Sequence, residues 1–239
     1  RHRGVGHCAA RITGEVSSPS SSVTDAEYPV WDRYVRVVHW YLPLAITVMW
    51  WSGEQGRMDI HQWVGSSLLC VVAVRMIWGF IGSEPARFTH FLAPPLVVWR
   101  YLRRGGEYAG HNPLGGWSVM AMLSVLLLQS ASGLFSRDDL LFEGPFSYWA
   151  SEISGTVTEW HLINWQVLQV LIALHLLAVA WYQWRKRQPL IQAMWCGKAG
   201  YKVSTKPPRP LWLAFLLLMM AAVGLWGLIT IAPQAPSYY

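Results

Sequence analysis

The sequence predicts an all-α membrane protein, on the strength of its composition and its long apolar stretches. Of the 239 residues, 53% are hydrophobic and 13% are charged, whereas a soluble domain carries about 25% charged residues. Sixteen tryptophans fit the same class, because Trp concentrates at membrane interfaces. A helix needs about 20 mostly apolar residues to cross a bilayer. Five stretches approach this length and composition: 36–53, 61–82, 117–135, 161–184 and 211–231.

The polar N-terminal stretch stands apart from these segments. Residues 1–28 are rich in Ser, Arg and Gly, which predicts a disordered tail. A short cytoplasmic start would fall naturally at Val23, so we expect residues 1–22 to be an upstream extension. The rest of the chain divides into a helical domain, 29–190, and a cytoplasmic loop with the fifth helix, 191–239.

The five segments differ in character. Pro43 interrupts the first, which a membrane helix tolerates where neighbouring helices satisfy the freed backbone groups. The third follows "GHNPLGG" and is rich in Ser, Ala and Gly, which suits close packing. The fifth is uniformly apolar and carries no ionisable group, so we expect a lipid-facing anchor. Between the second and third segments, "PPLVVWRYLRRGG" predicts a short basic helix in the headgroup plane.

The basic residues predict the orientation. Thirteen of the 19 Lys and Arg residues lie before the first segment, between the second and third, or between the fourth and fifth. The opposite connections hold only Arg57 and Arg137. Positive charge marks the cytoplasmic side, so we expect a cytoplasmic N-terminus and a C-terminus that faces out. The net charge of +6 is therefore a topology signal, and nucleic acid is not an expected partner.

The connection between the third and fourth segments is acidic. Its carboxylates are Asp138, Asp139, Glu143, Glu152 and Glu159. An acidic outer surface steers a basic soluble partner toward the membrane. A solvated loop without a partner explains the same charges, and both interpretations stay open.

Four of the eight histidines fall within the apolar segments: His39, His61, His161 and His175. Ionisable groups at membrane depth are costly and usually functional, although a single histidine can also serve as an interhelical hydrogen bond. The two histidines of the fourth segment are fourteen residues apart, or about 21 Å along a helix. Fourteen residues is close to four turns, so both imidazoles share one face.

The predicted depths pair these histidines. His61 and His161 lie at the outer ends of their segments, and His39 and His175 lie near the inner ends. Two stacked bis-imidazole sites result, each with ligands from two different helices, which suits the axial ligands of a haem iron. Zinc favours four ligands, and the sequence offers no Cys or carboxylate at these depths. The three cysteines form neither a Cys-x-x-Cys pair nor a covalent haem motif.

Two arginines are candidates for the same sites. Arg75 lies fourteen residues after His61, at about the level of the inner site. An unpartnered arginine at this depth costs about 2.5–3.5 kcal/mol, and a haem propionate would be a charge-assisted partner. Arg36, one turn before His39, would serve the other propionate or anchor its helix at the cytoplasmic surface.

His111 in "YAGHNPLGGW" is a weaker candidate, for a quinone pocket. Asn112 as a helix cap and Pro113 in the first helical turn account for the same motif without a ligand. We favour this second interpretation.

At these residues the chain resembles the bacterial cytochrome b561 family, which includes the b-type subunits of nickel–iron hydrogenases. The matching stretches are "VWDRYVRVVHW", "HQWVGSSLLCVVAVRMIWGFIGS", "GHNPLGG" and "WHLINW…LIALHLL", across roughly residues 30–190. The resemblance implies a four-helix transmembrane bundle that holds two b-type haems in the bacterial inner membrane. It also implies that the haem ligands are His39, His61, His161 and His175. The fifth helix and the N-terminal tail have no counterpart in the family core.

We therefore expect transmembrane electron transfer between the quinone pool, which the resemblance implies, and a periplasmic partner such as a c-type cytochrome. Three alternatives stay open: a haem-bearing anchor for the catalytic subunit of a hydrogenase-like oxidoreductase, a superoxide:quinone oxidoreductase, and a haem-free membrane adaptor or transporter. Paired broken helices and repeat symmetry, which transporters often show, are missing. The sequence also lacks a hydrolytic constellation and a Gly-rich phosphate loop.

Overall fold

The computed structural model describes residues 31–104, 113–137, 142–197 and 207–233. The predicted tail, residues 1–28, lies outside the described residues. So do His111, Asp138 and Asp139.

The first two helices form a hairpin. α1 spans Arg33–Glu54 and α2 spans Met58–Ile81. Asp32 caps α1, because its Oδ1 accepts a hydrogen bond of 2.8 Å from the Val35 N–H, a donor that the helix start leaves unpaired. The turn between the helices is tight and contains Gly56 at φ +65°, a left-handed conformation that favours glycine.

Two short helices follow α2: α3, Phe88–Phe91, and α4, Pro95–Arg104. Phe88 packs against α2 so closely that a β-carbon at Gly79 would lie 2.2 Å from its ring. Glycine permits this approach and larger residues do not. The helix predicted from "PPLVVWRYLRRGG" is present as α4, and its position among lipid headgroups stays a prediction.

Two long helices come next. α5 spans Pro113–Phe135 and α6 spans Ser154–Ala180. A π-helical turn, Trp181–Arg185, continues α6; π-bulges are often found at functional sites. After it come α7, Leu190–Cys196, and α8, Leu211–Ile231. All five predicted segments are helical, and the helices of the first four begin before the apolar stretch because their first turns are less apolar. Pro113 lies in the first turn of α5, as predicted, whereas the predicted cap, Asn112, lies outside the described residues.

α2 lies at the centre of the bundle. It packs against α1, α5 and α8, while α6 packs chiefly against α5. One buried cluster joins α1, α2 and α8 around Trp78 and Ala214. A second joins α1, α2, α5 and α6 around Val72 and Leu168. These apolar contacts hold together the three helices that carry the paired histidines.

α8 differs on one face from the expected lipid-facing anchor. Ala214 is buried against α1 and α2, and Trp226 stacks on Trp63 of α2 with 5.8 Å between ring centroids. A small residue such as alanine lets two helices approach closely. Most other α8 side chains face outward. A uniformly apolar sequence does not reveal which face packs, because it lacks the polar contrast that marks an exposed face.

Four of the described helices are long and apolar enough to cross a membrane: α2, α5, α6 with its π-helical turn, and α8. α1 is 22 residues long but falls short of them in apolarity, so its crossing stays a prediction. The end of the bundle with His61 and His161 is called the outer end below. The end with His39 and His175 is called the inner end, after the orientation that the charges predict.

Candidate functional site

The four histidines of the apolar segments come together as two pairs. The ring centroids of His61 and His161 lie 6.4 Å apart, with the ring planes inclined by 68°. The centroids of His39 and His175 are also 6.4 Å apart, with the planes inclined by 57°. Each pair joins the α1–α2 hairpin to α6. Because the α6 members are fourteen residues apart, the pairs are separated by about 21 Å along that helix.

This separation suits two imidazoles that share a metal. A metal–imidazole bond is about 2 Å long and the ring centre lies roughly 1 Å behind the nitrogen, so two opposed ligands hold their ring centres roughly 6 Å apart. Among the described residues, no three His, Cys, Asp or Glu side chains form a metal-binding group. Each pair is therefore a two-ligand arrangement, which suits an iron whose other positions are filled by a macrocycle.

α1 holds the ring of His61. Its Nδ1 donates a hydrogen bond of 3.0 Å to the Met49 carbonyl oxygen and lies 3.3 Å from Ser52 Oγ. Because a carbonyl oxygen only accepts, the ring proton is on Nδ1, and Nε2 keeps its lone pair. Metal-binding histidines usually have such a partner behind the ring. His61 is thus oriented in a tautomer that can bind a metal.

A polar chain holds His161 in the same tautomer. Ser132 Oγ donates to the Gln129 carbonyl oxygen at 3.0 Å, which leaves it to accept from His161 Nδ1 at 2.9 Å. Asn164 Nδ2 donates to Gln129 Oε1 at 2.8 Å and to the Val125 carbonyl oxygen at 3.0 Å. The Gln129 amide nitrogen therefore faces His161 Nε2, at 3.0 Å. As an acceptor of this N–H, His161 Nε2 carries a lone pair, and a metal bound at this nitrogen would take the place of the Gln129 N–H.

A cavity of about 420 Å³ opens beside the outer pair, which is within the range of cofactor pockets. His61 and His161 line it together with mostly apolar side chains of α1, α2, α5 and α6. Gly53, Gly65 and Gly133 also line it. A β-carbon at Gly133 would lie 3.1 Å from His161 Cε1, and one at Gly53 would lie 3.5 Å from the His61 ring. Gly133 therefore keeps the His161 ring clear, whereas the Gly53 contact would be an ordinary one. The residues of the outer site fit a flat cofactor ligated by two imidazoles.

The inner pair is held less tightly. His39 Nδ1 is buried and has no hydrogen-bond partner in the described part of the chain. Its ring contacts Trp40 edge-on at 5.3 Å, and Trp40 contacts Trp195 of α7 at 5.3 Å. An unpaired buried nitrogen is unusual in a native fold, and the residues that the structure describes do not fix the tautomer of His39. The two pairs therefore share a separation and differ in how their rings are oriented.

Arg75 lies in the interior and is 5% exposed. Its Nη1 has no hydrogen-bond partner among the residues described, and its guanidinium lies over the Phe88 ring at 5.7 Å. The negative charge of the Asp32 carboxylate interacts electrostatically with the Arg75 guanidinium. The Asp32 oxygens already accept from the Val35 N–H and from Trp78 Nε1. The unpaired Nη1 fits a propionate, and Asp32 is an opposing charge that sequence reasoning missed.

Arg36 has a partner away from the histidines. Its Nη1 donates to the Trp195 carbonyl oxygen at 2.7 Å, near the end of α7. Gly197 ends that helix at φ +80°, and a β-carbon there would lie 3.1 Å from the guanidinium. Basic side chains favour helix C-termini, so Arg36 fastens α7 to α1. Its buried Nε has no hydrogen-bond partner in the described residues, and its role toward a propionate stays a prediction.

Sequence reasoning also missed the residues that support His161: Gln129, Ser132, Gly133 and Asn164. The first three are spaced by three and four residues and therefore share one face of α5. A polar face in an otherwise apolar helix was the signal that could have found them. Asn164 lies one turn after His161, where the same spacing rule applies.

Paired imidazoles without a covalent haem motif, within helices of membrane length, are features of a b-type membrane cytochrome. Residues 30–197 match the family model described as prokaryotic cytochrome b561. The chain belongs to this family, as its motifs predicted. The family implies a b-type haem and a role in membrane electron transfer.

Two relatives are similar over much of their length. The "Probable Ni/Fe-hydrogenase B-type cytochrome subunit" of Bradyrhizobium diazoefficiens is 22% identical over 214 residues, which cover 72% of this chain and 86% of that protein. The protein of the same name from Rhizobium leguminosarum bv. viciae is 25% identical over 167 residues, with 60% and 68% coverage. No solved structure matches the chain.

Proposed function

We propose that the chain carries electrons across the bacterial inner membrane through two b-type haems, between the quinone pool and a periplasmic redox partner. His61 and His161 hold the outer haem, and His39 and His175 hold the inner one. When bound, haem iron supplies one-electron transfer. The observation that carries the proposal is the 6.4 Å separation of both imidazole pairs, at two levels of α6.

The protein residues orient the ligands and adjust their electronic properties. The Met49 carbonyl and Ser132 Oγ accept from the ring nitrogens behind His61 and His161. Such partners fix the ring and raise its basicity as a ligand. The apolar wall of the cavity limits water at the outer site, which also influences the potential. At the inner site, Arg75 is suited to hold a propionate by a charge-assisted hydrogen bond.

The first test is the haem type and the haem-to-protein ratio of the detergent-purified chain, by pyridine haemochrome assay. We expect two b-type haems, and about one in each of the variants His61→Ala and His39→Ala. His90→Ala is the matched control, because His90 is exposed and close to Glu84, and it should retain both haems. A ratio near zero in folded protein, or two haems in the ligand variants, would contradict the proposal.

The outer surface supports a basic periplasmic partner such as a c-type cytochrome. Glu152 and Glu159 are exposed on the α5–α6 connection and the start of α6. Exposed carboxylates raise association rates with a basic protein, and salt screens this effect. Electron exchange with a basic c-type cytochrome should slow with rising ionic strength, and Glu152→Gln with Glu159→Gln should weaken that dependence. A rate independent of salt would rule out this docking surface.

The proposed quinone partner rests on the family, and the proposed orientation rests on the charge pattern. We expect quinol to reduce the haems of the purified chain, with the inner haem reduced first.

An alkaline phosphatase fusion after residue 104 should be inactive, because that connection is predicted to be cytoplasmic. A fusion after residue 233 should be active. The reverse pattern would invert the proposed topology.

A second candidate function is a haem-bearing membrane anchor for the catalytic subunit of a larger oxidoreductase. The name of the two relatives favours it, because both are described as hydrogenase cytochrome subunits. Gentle purification of the tagged chain from its own membranes distinguishes the two. Stoichiometric co-purification of a catalytic subunit supports the anchor, whereas full activity with a free c-type cytochrome and no such subunit supports the free carrier.

A further inference from the structure

An arginine in the wall of the outer cavity has no role in the function proposed above. Arg137 lines the same cavity as His61 and His161. Apart from the histidines, Arg137 and Glu54 are the only ionisable residues among those described that line it. We infer that Arg137 binds a propionate of the outer haem and raises the midpoint potential of that haem. This inference rests on the proposed function.

Two main-chain contacts place Arg137 beside α6. Its N–H donates to Thr158 Oγ1 at 2.9 Å, and the same hydroxyl oxygen lies 3.0 Å from the Arg137 carbonyl oxygen. Thr158 is three residues before His161, which is about one helical turn. The backbone of Arg137 is therefore fixed one turn outward from an imidazole of the outer pair, and these contacts do not depend on its side chain.

The segment that returns after α5 strengthens this placement. The Gly144 N–H donates to the Ser136 carbonyl oxygen at 2.8 Å, and the Phe146 N–H donates to the Leu134 carbonyl oxygen at 2.8 Å. A β-carbon at Gly144 would lie 2.5 Å from the Leu134 carbonyl oxygen, so the close approach requires glycine. The Leu134 carbonyl of α5 and the Ser136 carbonyl just after the helix are thus paired, and Arg137 follows directly on this fixed end.

The side chain of Arg137 lies at the boundary between the cavity and the surface. It is 39% exposed, and its Nε is 3.7 Å from Glu143 Oε1. That distance is long for a charge-assisted hydrogen bond. Tyr148 OH donates to the same carboxylate oxygen at 3.2 Å. Because a guanidinium has five N–H donors, Arg137 can contact Glu143 on the surface side and a second carboxylate on the cavity side.

The charge of Arg137 predicts the direction of its effect. Reduction of haem iron lowers the positive charge of the centre, so a nearby guanidinium and its neutralisation of a propionate stabilise the reduced state. Nearby charge and hydrogen bonds are among the protein's levers on haem potentials. Loss of the guanidinium should therefore lower the outer potential and leave the inner haem, about 21 Å away along α6, nearly unchanged.

Spectroelectrochemical titration of the purified full-length chain tests this inference. At a fixed potential we expect Arg137→Gln to lower the reduced-to-oxidised ratio of the outer haem about tenfold, which is about 59 mV for one electron. Arg137→Lys should retain much of the wild-type potential. Glu143→Gln should shift the outer potential in the opposite direction, because it removes the competing negative charge. His61→Ala identifies the outer component in the titration.

Arg57→Gln is the matched control. Arg57 is also on the outer side by the charge pattern, but it is 54% exposed and 3.4 Å from Asp59. We expect this variant to leave both potentials unchanged. An unchanged outer potential in Arg137→Gln, or equal shifts of both haems, would overturn the role of Arg137. So would a shift in Arg57→Gln as large as that in Arg137→Gln.

Failure of the proposed function gives a different result. If the wild-type chain binds no haem, or if His61→Ala removes neither component, the outer haem site itself is wrong. If the wild-type chain binds two haems and His61→Ala removes one, but Arg137→Gln changes nothing, only the propionate assignment is wrong.

Discussion

Gly133 offers a direct test of the outer site, because a β-carbon there would come closer to a paired imidazole than one at any other described glycine. In Gly133→Ala, the new β-carbon would lie 3.1 Å from His161 Cε1. Ordinary van der Waals contacts of a β-carbon begin near 3.4 Å, so the His161 ring or α5 must move by a few tenths of an ångström. The ring cannot move freely, because Ser132 Oγ accepts a hydrogen bond of 2.9 Å from its Nδ1.

The expected cost follows from this crowding. Overpacking by one methyl group in a well-packed site costs about 1–3 kcal/mol, and each 1.4 kcal/mol is about tenfold in affinity. Haem binding at the outer site should therefore weaken roughly 5- to 150-fold. Alanine also favours the helix by about 1 kcal/mol relative to glycine, so the unfolding temperature of the chain should fall little.

The assay is the haem-to-protein ratio after purification, followed by the rate of haem loss to an excess of an acceptor apoprotein. Two glycine-to-alanine variants serve as controls. Gly53→Ala places its β-carbon 3.5 Å from the His61 ring, an ordinary contact, and Gly224→Ala in α8 meets nothing within 4 Å. Both should retain the outer haem with wild-type kinetics.

A Gly133→Ala variant that loses haem no faster than Gly224→Ala would refute the reasoning. Loss of the inner haem before the outer one would refute it as well, because the inner pair has no contact with this position in the structure described.

Three further predictions concern the residues around the two pairs. Ser132→Ala removes the acceptor behind His161, so the imidazole becomes less basic and the outer midpoint potential should rise. Haem affinity at the outer site should fall about 10- to 100-fold. A lower potential would contradict the hydrogen-bond assignment. Arg75→Leu should lower the inner potential alone, and it should also lower fold stability because it leaves the buried Asp32 charge uncompensated. Equal shifts of both haems in Arg75→Leu, or no shift, would contradict the propionate assignment. Arg36→Gln removes a charged hydrogen bond worth about 1.5–3 kcal/mol, so hydrogen exchange of the α7 backbone amides should accelerate. An altered inner midpoint potential with unchanged amide exchange would assign Arg36 to a propionate instead.

The helices could be predicted well from the sequence, because a long apolar segment in a membrane has few possible structures other than a helix. The sequence also led to the grouping of histidines by depth, since depth depends only on helix direction and on the rise per residue. The contacts that orient each ring depend on neighbouring helices and could not be read in this way. The Met49 carbonyl behind His61 is a backbone atom, so no residue type indicates it. The Asn164–Gln129 contact depends on the rotation of α5 against α6, which apolar periodicity does not define.

The position of Arg137 was also beyond the reach of sequence analysis. Its charge was counted toward orientation, and its place in the wall of a cavity depends on how the chain returns after α5. Gly144 permits that return, but glycine in a polar loop is too common to indicate a close approach. The packed face of α8 was missed for a related reason, because every face of that helix is apolar.

The two imidazole pairs lie between two helical hairpins, and this position has a consequence for the assembly of the protein in the cell. One histidine of each pair comes from the α1–α2 hairpin, and the other comes from α6, which packs chiefly on α5. Each bound haem would therefore act as a cross-link between two helical hairpins, and a ligand that binds only the folded state adds directly to its stability. A chain synthesised without haem would lack both cross-links, and the apolar contacts between the helices would have to hold its two hairpins together. The steady-state amount of this protein should then follow the haem supply of the cell, with quality-control proteases removing the chains that remain unloaded.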